Sequence, residues 1–337
     1  MNRRLEVIAA GRGGWFTRPD ALAAGYSDSE LRQRVRSGQW LRLSFNSYVD
    51  PRAWPDEPPW ERATRVHLLN VRMASERLGD VVVSHQSAAM LHGLPVWGVD
   101  LSRAHFTRMA SGGVRTGRGV RVHRGAVSAD EIVELDGLKV TTVDRAVVET
   151  ACTTSYEVGV VLADAALHEP LTTREQSSPH NQLTTRGQLV AAVHRHRHWR
   201  GVPAAHAAVL FADGRSESVG ESRLRVLMAN HGLPTPELQV EIRDVDGGLI
   251  GRVDFLLAGV LVVEFDGAMK YGDNADAVLA EKYREDRLRE RGYGVARVNW
   301  ADLDHPHKTA ARLRQALSAY AVGTGNRQLL VPSPRGG

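Results

Sequence analysis

Cysteine is nearly absent from this sequence, because Cys152 is the single one in 337 residues. One cysteine excludes an intramolecular disulfide framework and is typical of a reducing compartment, so we expect a cytoplasmic protein. Long apolar runs are absent too: no window approaches the roughly 18 consecutive apolar residues of a membrane-spanning helix. The apolar stretch after Arg3 and Arg4 is interrupted by Glu6, which argues against a signal peptide. We therefore predict no membrane segment.

A large excess of one charge sign is also lacking. Lysine and arginine total 43, aspartate and glutamate total 39, and the formal net charge is +4. This weakly basic balance permits nucleic-acid binding without requiring it. Hydrophobic residues at 42% and charged residues at 24% are typical of a globular protein, and the length predicts two or three domains.

The most informative stretch predicts a β-hairpin centred on Gly259. β-branched and aromatic residues are abundant on both sides of a short, glycine-containing gap. A loop formed by this gap pairs Leu257 with Leu261 and therefore places Asp254 opposite Glu264. Because side chains alternate along a strand, one face is then apolar and the other carries the acids. The two faces are Val253, Phe255, Leu257, Leu261, Val263 and Phe265, and Arg252, Asp254, Leu256, Val262, Glu264 and Asp266.

Like charges directly opposed on a hairpin repel each other, so the acids of this face need a compensating charge. Arg252, adjacent to Asp266 in this register, is one candidate. A divalent cation is another, because Mg²⁺ prefers a few carboxylate oxygens and keeps waters that a phosphate can replace. The alternative is a solvated face paired with arginines.

The helix predicted upstream of the hairpin contributes another acid. Ser218 followed by Glu221 predicts a capping box at its first turn. Glu221 shares an apolar face with Leu224 and Met228 by its spacing. It is therefore either only the partner of the cap or a further carboxylate directed at the hairpin.

The residues after the hairpin are rich in basic groups. Lys270 is followed by a charged helix over 281–291 that contains Lys282 and ends before Gly292. A strand over 293–300 then contains Arg297.

This order of elements and residues resembles the PD-(D/E)xK nuclease superfamily and, more narrowly, the very-short-patch-repair-like endonuclease domains of bacterial proteins. The resemblance implies a mixed sheet flanked by helices with a Mg²⁺ or Mn²⁺ site at the hairpin. Asp254 and Glu264 would be the metal ligands, and Glu221 and Asp266 would tune or complete the metal shell.

The sequence departs from this superfamily at one catalytic position. The superfamily usually has a lysine two residues after the second acid, and here that residue is Asp266. Lys270, or else Lys282, would then supply the ammonium that stabilises charge on the phosphate. If neither lysine reaches the site, the fold is present without cleavage.

The first 50 residues predict three helices and a hairpin, and capping boxes that begin at Thr17 and Ser27 mark the starts of the second and third helices. The third helix, over 28–37, turns Leu31 and Val35 inward, and the hairpin pairs 40–43 with 47–49. This arrangement is a winged helix-turn-helix, whose third helix enters the major groove of DNA. Its outward residues can address phosphates and base edges, although a protein-binding winged helix is the alternative. These predicted DNA-binding residues are Arg32, Gln33, Arg34 and Arg36.

The N-terminal segment resembles the N-terminal domain of AbiEi-type antitoxin proteins of bacterial toxin–antitoxin systems. Residues 61–168 predict an α+β module that resembles the one following the winged helix in those proteins, notably at Ser84–Ala89 and Leu91–Leu94. The spacing of His85 and His92 on an apolar helix predicts core histidines rather than a metal or catalytic pair. We expect Asp144-Arg145 to cap a helix.

A short duplication follows this module. Leu171–Gln176 recurs almost unchanged as Leu183–Gln188, and we expect a surface loop between the copies. The second copy leads into a helix over 186–198. His194 and His198 have metal-ligand spacing on that helix, but the alternating arginines favour a basic stripe.

These elements predict an α/β (α+β) fold and a DNA-associated protein with a Mg²⁺-dependent endonuclease domain. The alternative is an AbiEi-like transcriptional regulator with a catalytically inactive nuclease fold. Expected partners are DNA and a cognate toxin or repair factor. The expected domains are a winged helix (1–50), a linker (51–60), the α+β module (61–168), a loop with the duplication and basic helix (169–200), the nuclease-like domain (201–325) and a disordered tail (326–337).

Overall fold

The computed structural model describes residues 1–44, 46–54, 56–108, 119–169, 183–267 and 275–323. Within these residues it is a mixed α+β protein with three sheets, as the sequence predicted. None of the helices in the described ranges is long and apolar enough to cross a membrane. The chain divides into two compact units, Met1–Thr154 with Gly187–Ala205, and Ser155–Arg186 with His206–Gly337. Lys270, the first copy of the duplication and the predicted tail lie outside the described residues.

The first unit begins with the predicted three helices and hairpin. Capping boxes form at Thr17 and Ser27, as their sequences predicted. Trp40 is fully buried and packs edge-on against Phe16, with ring centroids 4.8 Å apart. The strands form an antiparallel sheet in the order β1-β3-β2. The elements are α1 (Arg3–Gly11), β1 (Trp15–Thr17), α2 (Arg18–Ala23), α3 (Asp28–Arg36), β2 (Leu41–Ser44) and β3 (Ser47–Val49).

A five-stranded mixed sheet forms the rest of the first unit, in the order β6-β5-β4-β8-β7. The sequence prediction missed β7, which pairs with β8 through a turn in which Asp136 and Gly137 both have positive φ. Such a turn matches the twist of a tight hairpin. The elements are α4 (Pro59–Leu78), β4 (Val82–Val83), α5 (His85–Leu91), β5 (Ala104–Arg108), β6 (Val120–Arg124), β7 (Ile132–Leu135), β8 (Leu138–Thr141) and α6 (Val143–Thr153).

Two expectations in this unit were wrong. Arg145 does not cap a helix, because its side chain is buried and donates hydrogen bonds to Glu131 and Glu149. The basic helix ends at Arg195, since the next residue, His196, is buried and bonds Glu131. His194 and His198, whose metal-ligand spacing assumed a longer helix, are therefore not on one helix.

The second unit contains a four-stranded sheet in the order β12-β11-β10-β9. Leu257 pairs with Leu261 and Phe255 with Val263, which confirms the predicted hairpin register. β12 pairs with β11 in parallel, and the sequence prediction missed β9. The elements are α7 (Tyr156–Leu167), α10 (Val219–Asn230), β9 (Glu237–Arg243), β10 (Leu249–Leu257), β11 (Leu261–Asp266), α11 (Ala275–Glu290), β12 (Gly294–Asn299), α12 (Trp300–Leu303) and α13 (Pro306–Gly323). Helix α8 (Arg186–Arg195) belongs to the first unit from Gly187 onward, and α9 (Val202–Phe211) passes from the first unit to the second after Ala205.

Apolar clusters lie against the hairpin and fix its position. The larger contains Phe255 and Leu261 and packs with residues of α10 and α13. The smaller contains Leu256 and Val262, which the alternation had placed on the polar face, together with Leu288 of α11. It also contains Val253, which the alternation had placed on the apolar face with Phe255. Helix α11 therefore covers part of the face that carries the acids.

Candidate functional site

Asp254 of β10 and Glu264 of β11 line one pocket of about 450 Å³. The hairpin register brings them to this position, and the backbone N–H of Phe265 donates to Asp254 Oδ2 at 2.8 Å. The two predicted metal ligands are therefore held on adjacent strands and open into shared space. The other lining residues are Gly251, Arg252, Phe265, Asp266, Glu281, Arg284 and Arg297.

The pocket destabilises the charged forms of both acids. The pKa of Asp254 is raised to about 6, first because the carboxyl is buried and then because Glu221 and Glu217 carry like charges nearby. Burial also raises the pKa of Glu264, and the charges of Glu281 and Asp254 add to this effect. A carboxylate pair with raised pKa values in a pocket is an arrangement that a cation would stabilise.

Arg284 is the residue of this pocket that sequence reasoning missed. Its Nη2 atom donates to both oxygens of Glu264, at 2.7 and 2.9 Å, and to Glu281 at 2.7 Å. Arg297 donates to Glu281 at 2.6 Å and to Glu285 at 2.9 Å. Its position in the sequence was a usable signal that Arg284 faces the sheet. Arg284 lies four residues before the buried Leu288, and residues i and i+4 share a helix face.

The other residues that the sequence predicted for this site occupy different positions relative to the pocket. Asp266 is exposed at the pocket rim. Lys282 is exposed on α11 and is not among the lining residues. Arg252, one of the two candidates for compensating the acids, instead donates its guanidinium hydrogen bonds to Glu217, at 2.6 and 2.8 Å.

Glu221 is the cap partner at the start of α10. Its carboxylate accepts from the Ser218 hydroxyl at 2.7 Å, from the Glu217 N–H at 3.0 Å and from Gln239 Nε2 at 3.0 Å. With both oxygens engaged, it acts on Asp254 through its charge.

The donor set of the pocket fits a hard divalent cation. Mg²⁺ and Mn²⁺ take carboxylate oxygens, and Asp254 and Glu264 supply these at one opening. The bond from Arg284 to Glu264 means that such an ion would compete with a guanidinium for one of its ligands.

A second candidate site is a basic groove in the N-terminal segment, between α3 and the β2–β3 hairpin, with a volume of about 810 Å³. Arg32 and Arg36 are one helical turn apart on α3, and Arg18 and Arg42 complete its basic lining. Arg18 and Arg42 were not predicted, although their basic character was visible in the sequence. The other lining residues are Asp28, Ser29, Leu31, Val35, Asn46 and Tyr48.

The other two residues of the predicted DNA-binding set lie elsewhere. Gln33 is exposed on α3 but does not line the groove. Arg34 lies over the rings of Tyr26 and Trp40, 5.2 and 5.1 Å from their centroids, and donates to Gln39 Oε1 at 3.0 Å. Its guanidinium therefore helps to hold α3 against the core of the segment.

The N-terminal segment has a recognisable family. Residues 3–44 match the model described as "Transcriptional regulator, AbiEi antitoxin". This match confirms the AbiEi resemblance for that segment and supports a DNA-associated regulatory role.

Two curated relatives and one solved structure are also similar to the chain. The uncharacterized proteins MT2308 and Rv2248 of Mycobacterium tuberculosis are each 37% identical over 134 residues, which is 39% of this chain and 49% of each relative. The chain thus spans about half the length of the curated relatives it matches. The RV2827C protein from Mycobacterium tuberculosis aligns with a TM-score of 0.36 and 14% identity, over 72% of this chain and 87% of that one.

Proposed function

We propose that this protein is a transcriptional regulator that binds duplex DNA through the basic groove of its N-terminal segment. One observation carries the proposal: Arg32 and Arg36 line a groove between α3 and the hairpin within the segment that matches the regulator family. A helix with arginines on one face, followed by a hairpin, is the arrangement with which winged helices contact DNA.

The groove residues have separate tasks in this proposal. The guanidinium groups of Arg32 and Arg36 neutralise phosphates, with Arg42 on the flank, and these contacts position the protein on the duplex. The guanidinium of Arg18 already pairs with Asp28 through two hydrogen bonds. Gln33, exposed on the same helix, offers an amide that can bond an adenine edge. A cognate toxin or repair factor remains a predicted protein partner.

The test is fluorescence anisotropy with a labelled duplex taken from upstream of the gene and a shuffled duplex of equal composition. We expect the double variant Arg32→Ala/Arg36→Ala to bind the upstream duplex at least about tenfold more weakly than wild type. The control Arg77→Ala/Arg103→Ala removes the same charge from exposed positions outside the groove and should bind like wild type. Equal affinity of the groove variant and wild type would refute the assignment.

We propose hydrolysis of phosphodiester bonds as a second function, for the C-terminal unit. It is supported by the shared pocket of Asp254 and Glu264 and by the raised pKa of Asp254, about 6. These two carboxylates would hold Mg²⁺ or Mn²⁺, with Asp266 at the rim and the charge of Glu221 adjusting Asp254. The ion supplies a Lewis acid and a bound water of lowered pKa.

In this proposal, guanidinium groups of the pocket bind the phosphate of the substrate. Arg284 and Arg297 line the pocket, and guanidinium groups bind phosphate oxygens with two parallel hydrogen bonds. Arg284 thus offers the positive charge for which the sequence had suggested Lys270 or Lys282. If the guanidinium of Arg284 exchanged its hydrogen bonds to Glu264 for hydrogen bonds to a substrate phosphate, the Glu264 carboxylate would be released to bind the ion.

A plasmid-nicking assay with Mg²⁺ and with Mn²⁺ tests this second function. We expect activity in wild type and in the control Glu241→Gln, an exposed acid on β9. Asp254→Asn and Glu264→Gln, which keep side-chain shape, should remove it. Equal nicking by all four proteins would refute the site. Specific DNA binding without nicking in the presence of either metal would exclude this second function and leave transcriptional regulation as the one proposed function.

A further inference from the structure

Three histidines from different elements converge in the first unit. His85 begins α5, His105 lies in β5 and His123 lies in β6. One ring nitrogen of each lies within 4.8 Å of one ring nitrogen of each of the others. His85 and His105 are buried, and His123 is half-buried. The cluster belongs to neither of the sites described above.

The distance between two of these rings fits ligands of a shared ion. His105 Nδ1 and His123 Nε2 are 3.2 Å apart. Two imidazole nitrogens bound to tetrahedral Zn²⁺ at about 2.0–2.1 Å would be separated by roughly 3.3–3.4 Å. The spacing of these two nitrogens is therefore close to that of two ligands of one zinc ion.

His85 is held at the cluster in an unusual backbone conformation. Its φ is +55°, a region that non-glycine residues rarely adopt and that is associated with functional sites. Its backbone N–H donates to Glu149 Oε2 at 2.9 Å, and its ring stacks on His123 with centroids 3.6 Å apart. The stacking leaves the planes of these two rings only 15° apart, so the His85 ring must turn before its nitrogen and that of His123 can bind one ion.

The side-chain amide of Gln86 has two possible orientations beside the cluster, and each fixes a different proton position on His105. Its side-chain nitrogen lies 3.0 Å from His105 Nε2, and its buried Oε1 has no hydrogen-bond partner among the described residues. In this arrangement His105 carries its proton on Nδ1 and donates it to His123. If the side-chain amide of Gln86 rotates by half a turn, Gln86 Oε1 accepts a hydrogen bond from His105 Nε2, and the Nδ1 lone pair of His105 becomes available to a metal. The 3.4 Å hydrogen bond from Gln86 Nε2 to the Asp100 carbonyl is then lost. Metal-ligating histidines almost always donate their second N–H in this way.

Charged side chains near the cluster act in opposite directions on a bound cation. The positive charge of Arg121 opposes one. The carboxylate of Glu149 lies 3.7 Å from His85 Nδ1 and supports one, although it also accepts a hydrogen bond from Arg145 Nε at 2.9 Å.

We propose that His85, His105 and His123 form a zinc site with three imidazole ligands, in which Gln86 orients His105. Imidazole nitrogen suits Zn²⁺, and three protein ligands leave one tetrahedral position for water or an external ligand. The site would tie the start of α5 to β5 and β6, whether or not the protein binds DNA or cleaves it.

The test is titration of the metal-free protein with Zn²⁺ by calorimetry and with Co²⁺ by visible absorption. Wild type should bind one equivalent, and the Co²⁺ complex should show the intense bands of tetrahedral coordination. His123→Gln, at the half-buried ligand, should abolish both signals. The control His307→Gln, an exposed ring that packs edge-on against His231, should leave both unchanged. Absence of stoichiometric binding by wild type would overturn the proposal.

Gln86 provides an independent test that leaves all three ligands in place. Gln86→Leu should weaken Zn²⁺ binding about 10- to 100-fold, because loss of an orienting partner typically has this effect. Gln86→Glu offers only acceptor oxygens when ionised and should bind at least as tightly as wild type. X-ray absorption of the wild-type zinc complex should give three imidazole ligands. A different ligand set, or equal affinity of the leucine variant, would contradict the assignment.

Discussion

One nitrogen of Arg284 lies between the two carboxylate oxygens of Glu264, at 2.7 Å from Oε1 and 2.9 Å from Oε2. The guanidinium occupies the side of Glu264 on which a bound cation would lie. It also lowers the pKa of that carboxyl against the effect of burial. Arg284 therefore compensates the acidic pocket in the structure and is the group that a metal ion would have to displace.

Replacement of Arg284 by alanine should destabilise the second unit by about 1–3 kcal/mol, because it removes both hydrogen bonds to the largely buried Glu264 and leaves only the more distant Arg297, 4.0 Å away, as an ion-pair partner among the described residues. Urea unfolding at pH 7.5 measures the change. Arg289→Ala is a matched control, since Arg289 pairs with Glu285 on the exposed side of the same helix. Its cost should stay within about 0.5 kcal/mol. Similar losses in the two variants would show that the pocket pair contributes no more than a surface pair.

The raised pKa of Asp254 predicts a dependence of stability on pH. The pKa rises from 3.8 to about 6 on folding, so the folded state binds the proton more tightly. The resulting stabilisation is complete below pH 3.8 and is lost as the pH rises through about 6. Asp254→Asn removes this titration, so its stability relative to wild type should increase from pH 4 to pH 7 and then level off. Parallel pH profiles of the two proteins in the presence of a chelator would contradict the prediction.

Gly220 allows α10 to pack against the strand that carries Glu264. A Cβ atom on this glycine would lie 1.9 Å from Cε1 of Phe265. Gly220→Ala should therefore cost about 1–3 kcal/mol of stability and shift Phe265, whose N–H holds Asp254. Thermal unfolding measures the cost. Gly248→Ala, whose added Cβ meets nothing within 4 Å, should be neutral, and an equal effect of both variants would exclude the steric explanation.

Arg145 should be among the most sensitive positions of the first unit. It is 1% exposed and donates to Glu131, to Glu149 and to the Ala126 carbonyl. Arg145→Met removes the arginine partner of the buried Glu149 and leaves the buried Glu131 to Arg195 and His196, so it should cost about 3–5 kcal/mol. Arg72→Ala, which breaks an exposed pair with Asp136, should cost less than about 1 kcal/mol. Chemical unfolding of both variants measures the contrast, and a loss below about 1 kcal/mol for Arg145→Met would contradict it.

Local patterns in the sequence were sufficient to predict the elements that carry the candidate sites. Alternation around Gly259 predicted the register that pairs Leu257 with Leu261, because a slip of one residue would mix apolar and acidic side chains. The capping boxes at Thr17 and Ser27 predicted where two N-terminal helices begin. Strand β9 was missed although Leu238, Val240 and Ile242 alternate with polar residues.

Contacts between distant elements could not be predicted in the same way. The partner of Glu264 depends on how α11 crosses the sheet, and the spacing of Arg284 to Leu288 indicates only which helix face is buried. From the sequence, His85 was interpreted together with His92, seven positions away, because both lie near one short helix. In the structure His92 bonds the Thr141 carbonyl at 2.7 Å, whereas His85 meets rings from β5 and β6. The pairing of strands, rather than spacing along the chain, assembles that cluster.

The slope of DNA affinity against salt concentration tests the central claim most directly, because it counts the phosphates that the protein neutralises. The slope of log K against log salt is about −0.9 per phosphate contact on duplex DNA. We predict that Arg32→Ala/Arg36→Ala makes the slope less steep by about 1.8, while Arg77→Ala/Arg103→Ala leaves it unchanged. An unchanged slope in the groove variant would contradict DNA binding through this groove.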